Sequence, residues 1–236
     1  MKNKVLKCFS IMAMALIFTM FIPNNAKAQT VQNEGIKINF GEINFSIPDY
    51  TEDEVVVKVL ADNKVNIIDK ETGAILETVT CVNIPENSPK LDKIKENSLN
   101  DYGNEDTFYY GIQRDKTDAL ATVRLEVVVV LYRSGSFSSI QSIEGQDMFI
   151  ISSSFSTLEN VSTYARSVSG TFPSTNIEYY GSGVITITTE ITSGSELAIG
   201  FSIKEVTNLG YSVNKTISGT VYLRKPVTIQ GNFYTY

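Results

Sequence analysis

Short runs of β-branched and aromatic residues, separated by turn residues, recur along most of this chain and constrain its fold more than any other feature. Such short alternating segments at regular spacing are typical of antiparallel sheets, and no convincing helix-period pattern interrupts them in the C-terminal half. The sequence therefore predicts an all-β protein, mainly antiparallel and sandwich-like. The turn signals after Tyr132 stand at 134–136, 145, 170–173, 181–183, 193–195, 210 and 219.

Strands are also predicted in the N-terminal half. Apolar and polar residues alternate over 36–47, with a change of phase at Gly41 that predicts a turn or bulge. The segments 55–60, 65–68 and 75–82 predict strands, and the turn sequence 69–73 before the last of them predicts a hairpin. The long apolar run 121–132 predicts a strand that begins half exposed and ends buried on both faces.

One short surface helix is predicted near residues 89–99, where apolar residues at helical spacing alternate with Lys and Glu. Charge and composition change along the chain near Asp106. Residues 29–118 hold 18 acidic and 9 basic groups, whereas residues 119–236 hold 8 acidic and 7 basic groups. This change predicts an acidic β-rich region at 29–106 and a Ser/Thr-rich β-sandwich at 107–236. A single continuous domain is the alternative.

The first 28 residues have the three parts of a cleaved export signal: a basic start within 1–7, an apolar run at 11–22 and small residues at 26 and 28. The apolar run is shorter than the roughly 20 residues that a membrane-spanning helix needs. We therefore expect cleavage before Gln29 and a secreted, extracellular protein without a transmembrane helix after cleavage. The Lys-rich signal and the usage of Asn, Ile and Ser are typical of exported proteins from bacteria with a single membrane.

Charge, histidine and cysteine content exclude several classes of function. Four of the 20 basic residues lie in the export signal, so the secreted chain carries a net charge of about −10 against 26 acidic residues, which disfavours nucleic acid and anionic lipid as partners. The absence of His excludes Ser-His, Cys-His and zinc-histidine mechanisms. No cofactor motif is found, so we predict no cofactor. Cys81 alone remains after cleavage, which excludes an intramolecular disulfide, and its apolar neighbours predict a small buried residue in a strand.

Residues 184–205 contain two alternating segments joined by a turn at 193–195. Each segment approaches the about 9–11 residues that a tilted transmembrane strand needs, and secreted pore-forming proteins insert hairpins of this kind. An ordinary sandwich hairpin gives the same alternation and is the favoured interpretation, because one face packs on the core while the other meets solvent. The candidate membrane-facing residues are Ile185, Ile187, Ile191, Leu197, Ile199, Phe201 and Ile203.

The remaining candidate sites have weaker support from the sequence. The acidic clusters 49–54 and 101–106 do not fit the twelve-residue calcium loop, so solvated loops are predicted and no metal ligand is proposed. The absence of Trp weakens a carbohydrate-binding interpretation, although Tyr can substitute. In the pairs Tyr109-Tyr110 and Tyr179-Tyr180, and at Tyr234 and Tyr236, one ring is expected in the core and one outside.

Three function classes remain open. A secreted, non-catalytic β module that binds a partner, with a cell-surface component or a lipid as candidates, needs only what the sequence shows and is the leading hypothesis. A membrane-active pore-forming protein that uses the 184–205 hairpin is the alternative. A hydrolase that works without His is a further alternative. No catalytic residue is predicted.

Overall fold

A computed structural model describes residues 35–40, 43–85, 88–89, 106–152, 155–217 and 219–235. These residues form two antiparallel sheets that pack on one another, with one short helix, α1 (Ile203–Asn208). The all-β, sandwich-like fold predicted from the sequence is confirmed. The strands of the first half are β1 (Ile36–Phe40), β2 (Ile43–Ile47), β3 (Val55–Ala61), β4 (Lys64–Asp69), β5 (Ile75–Ile84), β6 (Thr107–Thr117) and β7 (Thr122–Ser134). Those of the second half are β8 (Phe137–Ser152), β9 (Ser156–Ser167), β10 (Asn176–Ser193), β11 (Glu196–Leu197), β12 (Ser212–Lys215) and β13 (Thr220–Thr235).

The six-stranded sheet runs in chain order from β3 to β8, with each strand antiparallel to the next. The predicted hairpin at 69–73 is confirmed, since β4 pairs with β5. Its turn is built by Asp69, whose carboxylate accepts from the Thr72 N–H at 2.7 Å, and by Gly73 at φ 70°. A positive φ is readily adopted only by glycine, which explains the residue at that position.

Strand β7, which lies between β6 and β8, has the burial that its sequence predicts. Its first residues alternate between half-buried and buried, and residues 126–131 are all buried. Val128 and Val130 belong to a small second cluster with Ile84 and Tyr109 on the opposite face from the main core. Strand β7 therefore contributes apolar side chains to both faces of its sheet.

The seven-stranded sheet is centred on the long antiparallel pair of β10 and β13, whose register runs from Asn176↔Tyr234 to Glu190↔Thr220. Strand β13 pairs with β2, which in turn pairs with β1, so the residues that alternate over 36–47 form two paired strands. Strands β9 and β11 pair with β10, and β12 pairs with β13.

The main core lies between the two sheets and includes residues from both sides of position 106. The six-stranded sheet also continues across that position, because β5 pairs with β6. Close packing of the sheets depends on Gly181, where an added Cβ would lie 2.9 Å from side-chain atoms of Leu125 and Met148. The largest buried apolar side chains of this core include Phe45, Ile47, Ile67, Ile112, Leu125, Ile140, Ile177, Tyr179, Tyr211 and Phe233.

The prediction of a second strand in the 184–205 hairpin is wrong. Only Glu196–Leu197 extends as a strand, Gly200 has φ 82°, and helix α1 begins at Ile203. The helix starts because Ser202 accepts from the Glu205 N–H at 3.2 Å while the Glu205 carboxylate accepts from the Ser202 N–H at 2.7 Å. This reciprocal capping satisfies two N–H groups that a strand would have used elsewhere. The helix predicted near 89–99 falls almost wholly on residues outside the described ranges.

Candidate functional site

The candidate membrane-facing residues lie in or against the core. Ile185, Ile187 and Leu197 are buried. The remaining four, Ile191, Ile199, Phe201 and Ile203, are partly buried and pack against the same core. The alternation over 184–193 is therefore accounted for by sandwich packing, and a membrane-facing role for these residues stays a hypothesis. The described part of the chain contains no helix with the length and hydropathy of a membrane span.

Cys81 is a free, buried cysteine, as its neighbours predict. Burial raises the pKa of its thiol to about 12, so the reactive thiolate is disfavoured at neutral pH. Within the described ranges, no three His, Cys, Asp or Glu side chains are grouped closely enough to hold a metal ion. Most of the acidic cluster 101–106 lies outside those ranges.

A groove of about 680 Å³ lies beside the start of β8 and is here called the β8 groove. Its volume falls within the range of about 300–1,000 Å³ that is usual for ligand pockets. One side comes from the end of β7 and the start of β8, and the other comes from the loop that joins β9 to β10. Its lining residues are Tyr132, Phe137, Ser139, Gln141, Val168, Ser169, Pro173, Ser174, Thr175 and Asn176.

The loop that forms one side of the β8 groove is tied to β8 by backbone hydrogen bonds. The Ile140 N–H donates to the Ser174 carbonyl at 2.7 Å, and the Ser174 N–H donates to the Ile140 carbonyl at 2.8 Å. The Ser174 hydroxyl donates to the Asn176 carbonyl at 2.8 Å, which fixes the loop where β10 begins. The Thr235 hydroxyl donates to the Ser138 carbonyl at 2.9 Å, so the last strand also supports the groove. The two sides of the groove are therefore held at a fixed separation.

The β8 groove combines exposed apolar groups with uncharged polar groups. Phe137 and Val168 are 53% and 54% exposed, and both line the same groove, so together they give it an apolar surface. The Gln141 amide N–H donates to the Ser139 hydroxyl at 2.8 Å, and this contact fixes the orientation of the Gln141 amide group. Among the described residues that line the groove, none is Asp, Glu, Lys or Arg.

A second cavity of about 380 Å³ lies between the two sheets and is here called the inter-sheet cleft. It has apolar walls from both sheets and two ammonium groups. The Lys116 ammonium donates to the Thr228 carbonyl at 2.9 Å and lies 5.9 Å from the centre of the Tyr50 ring. The lining residues are Tyr50, Leu76, Lys116, Thr117, Asp118, Ile185, Lys225, Pro226, Val227 and Thr228.

The carboxylate of the inter-sheet cleft is already fully engaged. Asp118 accepts from the Tyr211 hydroxyl at 2.9 Å and from the Lys225 ammonium, which also donates to the Leu209 carbonyl at 2.7 Å. Burial and the charge of Asp118 raise the pKa of Tyr211, so its hydroxyl remains a donor. The carboxylate is thus neutralised by a lysine and is no free base.

A fully buried ion pair lies close to the inter-sheet cleft. Arg114 donates to the Glu77 carboxylate, to the Tyr179 hydroxyl at 2.7 Å and to the Gln230 carbonyl at 3.0 Å. Although burial alone would lower the pKa of Arg114, the charge of Glu77 raises it. Burial, with a smaller contribution from Glu77, raises the pKa of Tyr50. The buried atoms Tyr50 Oη, Glu77 Oε2 and Arg114 Nη2 have no hydrogen-bond partner within the described ranges.

The two adjacent tyrosine pairs divide between core and surface as predicted, whereas Tyr236 of the third pair lies outside the described residues. Tyr109 and Tyr179 are buried, whereas Tyr110 and Tyr180 are half-buried. Tyr180 stacks on Tyr164 with ring centres 5.4 Å apart, so one of its faces is occupied. These pairs therefore do not form the groove, and the aromatic residues that line it, Tyr132 and Phe137, were not singled out from the sequence.

Neither cavity was predicted from the sequence, because each combines residues from strands that are distant along the chain. In the sequence, the one sign of the β8 groove was Phe137, an aromatic residue that directly follows the turn sequence Ser134-Gly135-Ser136. Comparisons of the chain with protein-family models, with curated proteins and with solved structures found no match. Function is therefore inferred from the geometry of the β8 groove and the inter-sheet cleft.

Proposed function

We propose that this protein is a secreted, non-catalytic binding module that holds an uncharged ligand in the β8 groove. The observation that carries the proposal is the lining of the groove, in which exposed apolar groups stand beside Ser, Thr, Asn and Gln side chains. A few polar groups on an apolar surface give a pocket both affinity and orientation. Because the described lining residues carry no charge, the lining favours a neutral ligand, since an ion would lose its hydration without a compensating partner.

The same lining favours binding over catalysis. General acid–base chemistry needs a side chain that gains or loses a proton near the working pH, and Tyr132 is the one titratable group among the lining residues. In the inter-sheet cleft, Asp118 is paired with Lys225 and bonded to Tyr211. A hydrolase that works without His would need a carboxylate with a free oxygen facing its substrate, and the described residues that line the two cavities do not offer one.

A neutral saccharide suits the β8 groove better than an extended peptide. A peptide that adds to a sheet edge needs free backbone N–H and C=O groups, but those of Ile140 are already bonded to Ser174. Recognition must then come from side chains. The hydroxyl and amide groups of the lining match saccharide hydroxyls, and the rings of Phe137 and Tyr132 supply apolar faces on which a pyranose can stack.

The proposal is tested by binding of neutral oligosaccharides to the secreted chain, first on an array and then by isothermal calorimetry. Phe137→Ala should weaken binding at least about tenfold, since it removes the most exposed ring of the groove. Phe149→Ala is the matched control, because Phe149 is an exposed phenylalanine on the same strand but outside the lining. Absence of binding to any neutral saccharide, or equal loss in both variants, would reject the β8 groove as the site.

The export part of the proposal has its own test. The protein recovered from culture medium should begin at Gln29, as N-terminal sequencing would show, because the small residues at 26 and 28 fit a cleavage site. Recovery of the full-length chain in the cell pellet alone would contradict export without bearing on the binding site.

A further inference from the structure

We propose that the inter-sheet cleft is a second binding site, and that its ligand is a small organic carboxylate with a short apolar body. This inference is independent of the β8 groove, because the two cavities share no lining residue. It rests on which hydrogen-bonding groups of the cleft are still open and on what its walls are made of.

The open groups of the inter-sheet cleft are donors. Each lysine ammonium has three N–H donors. Lys225 uses two of them, on Asp118 and on the Leu209 carbonyl. Lys116 donates to the Thr228 carbonyl and forms an ion pair with the Asp49 carboxylate at 3.6 Å, a separation that is too long for a hydrogen bond. Each lysine therefore keeps at least one N–H donor beyond the hydrogen bonds that it makes to described residues.

Asp118, the carboxylate acceptor that lines the inter-sheet cleft, is by contrast already hydrogen-bonded. Both oxygens of Asp118 are in use, since Oδ1 accepts from Tyr211 and Oδ2 accepts from Lys225. Asp49 has a buried Oδ2 without a hydrogen-bond partner, but it is not one of the residues that line the cleft. A ligand that enters the cleft thus meets two ion-paired ammonium groups, each 30% exposed, which can exchange water for a ligand oxygen. A carboxylate is the acceptor that bonds such groups most strongly.

The walls of the inter-sheet cleft select the rest of the ligand. Leu76 comes from one sheet, while Ile185, Pro226 and Val227 come from the other. The Tyr50 ring adds an aromatic face whose hydroxyl is buried, so the ring offers the cleft mainly carbon. A branched aliphatic body would bury apolar surface against these walls, whereas a highly hydrated anion such as acetate would gain little.

The first test compares ligands on the unchanged protein. We expect 4-methylpentanoate to bind to the secreted chain, as measured by calorimetry and by saturation-transfer NMR. The neutral 4-methylpentanamide and the smaller acetate should each bind at least about tenfold more weakly, because the first lacks the charge and the second lacks the apolar body. Equal binding of the acid and the amide, or no binding of the acid at millimolar concentration, would overturn the proposal.

The second test places the ligand in the cleft. Lys116→Gln should weaken binding of 4-methylpentanoate about tenfold, and Lys64→Gln on the exposed start of β4 should leave it unchanged. Phe137→Ala should also leave it unchanged, so failure here is distinguishable from failure of the saccharide site. Equal binding by native protein and a folded Lys116→Gln variant would overturn the assignment. If that variant does not fold, adding 4-methylpentanoate to the native protein should shift the NMR signals of the Tyr50 ring. Unchanged Tyr50 signals would overturn the assignment.

Discussion

The guanidinium of Arg114 on β6 donates to the carboxylate of Glu77 on the neighbouring strand β5, and both side chains are 0% exposed. Arg114 also bonds the Tyr179 hydroxyl and the Gln230 carbonyl of the opposite sheet. One side chain therefore joins the two sheets through polar contacts in the middle of an otherwise apolar core. The buried charges are tolerated because each faces the other.

Removing one partner of this ion pair should be strongly destabilising. Glu77→Gln leaves the Arg114 charge uncompensated in the core, which costs about 3–5 kcal/mol in the free energy of unfolding. Urea titration of the secreted chain followed by tyrosine fluorescence would measure the loss. The double variant Glu77→Leu with Arg114→Met should lose less than Glu77→Gln alone, because no unpaired charge remains. A double variant that is as unstable as the sum of its single changes would contradict this account.

Gly231 allows the ion pair to reach the opposite sheet, and a methyl group there should be costly. An added Cβ would lie 2.7 Å from the Ser46 carbonyl oxygen and from Tyr179 Oη, and 3.0 Å from Arg114 Nη1. Gly231→Ala should therefore lower the free energy of unfolding by about 1–3 kcal/mol. Gly145→Ala on β8 is the control, since an added Cβ meets no atom within 4 Å there. A similar loss in both variants would show that strand glycines, and not this contact, determine the effect.

Cys81 should make stability fall at alkaline pH. Burial raises the pKa of its thiol from the ordinary 9.0 to about 12, so the folded state holds its proton more tightly than the unfolded state. The resulting stabilisation is complete below about pH 9 and is lost as the pH rises towards 12. Urea midpoints from pH 8 to pH 10 should fall less steeply in Cys81→Ala than in the native chain. Identical slopes would exclude Cys81 as the titrating group.

The folded protein should not release dye trapped in liposomes. Ile185 and Ile187 are buried between the sheets, and exposing each of them costs about 1.5–3 kcal/mol before any contact with lipid is made. Leakage assays across neutral and anionic vesicles would measure this. Release that is abolished in a folded Phe201→Asp variant would instead support insertion of residues 184–205 into the membrane.

Alternation of apolar and polar residues was sufficient to predict the strands around Ile36, Val65 and Val127, because each has one face or both faces in the core. The same rule failed after Leu197. There, Ile199, Phe201 and Ile203 alternate as a strand would, but Gly200 and the Ser202–Glu205 capping pair turn the chain into a helix. The capping signal was visible in the sequence, where Ser202 stands three residues before Glu205 and Val206 lies three after Ile203.

The candidate sites could not be predicted in the same way, because they depend on contacts between distant segments. The β8 groove exists because Ser174 bonds Ile140 across 34 positions of the chain, and nothing near either residue indicates that contact. The inward orientation of Glu77 and Arg114 was equally hidden, since charged residues in strands normally face solvent. Strand pairing, and not local pattern, determines both features.

The exposed loop at 168–173 stands outside the packed layers and is joined to them through Ser174. Substitutions at exposed loop positions rarely affect folding. A lineage that carries this scaffold could therefore diversify what the groove accepts by changing these few positions, with the strands left as they are. Divergence of recognition and conservation of architecture would then proceed independently, and related chains would differ most where Val168 and Pro173 now stand.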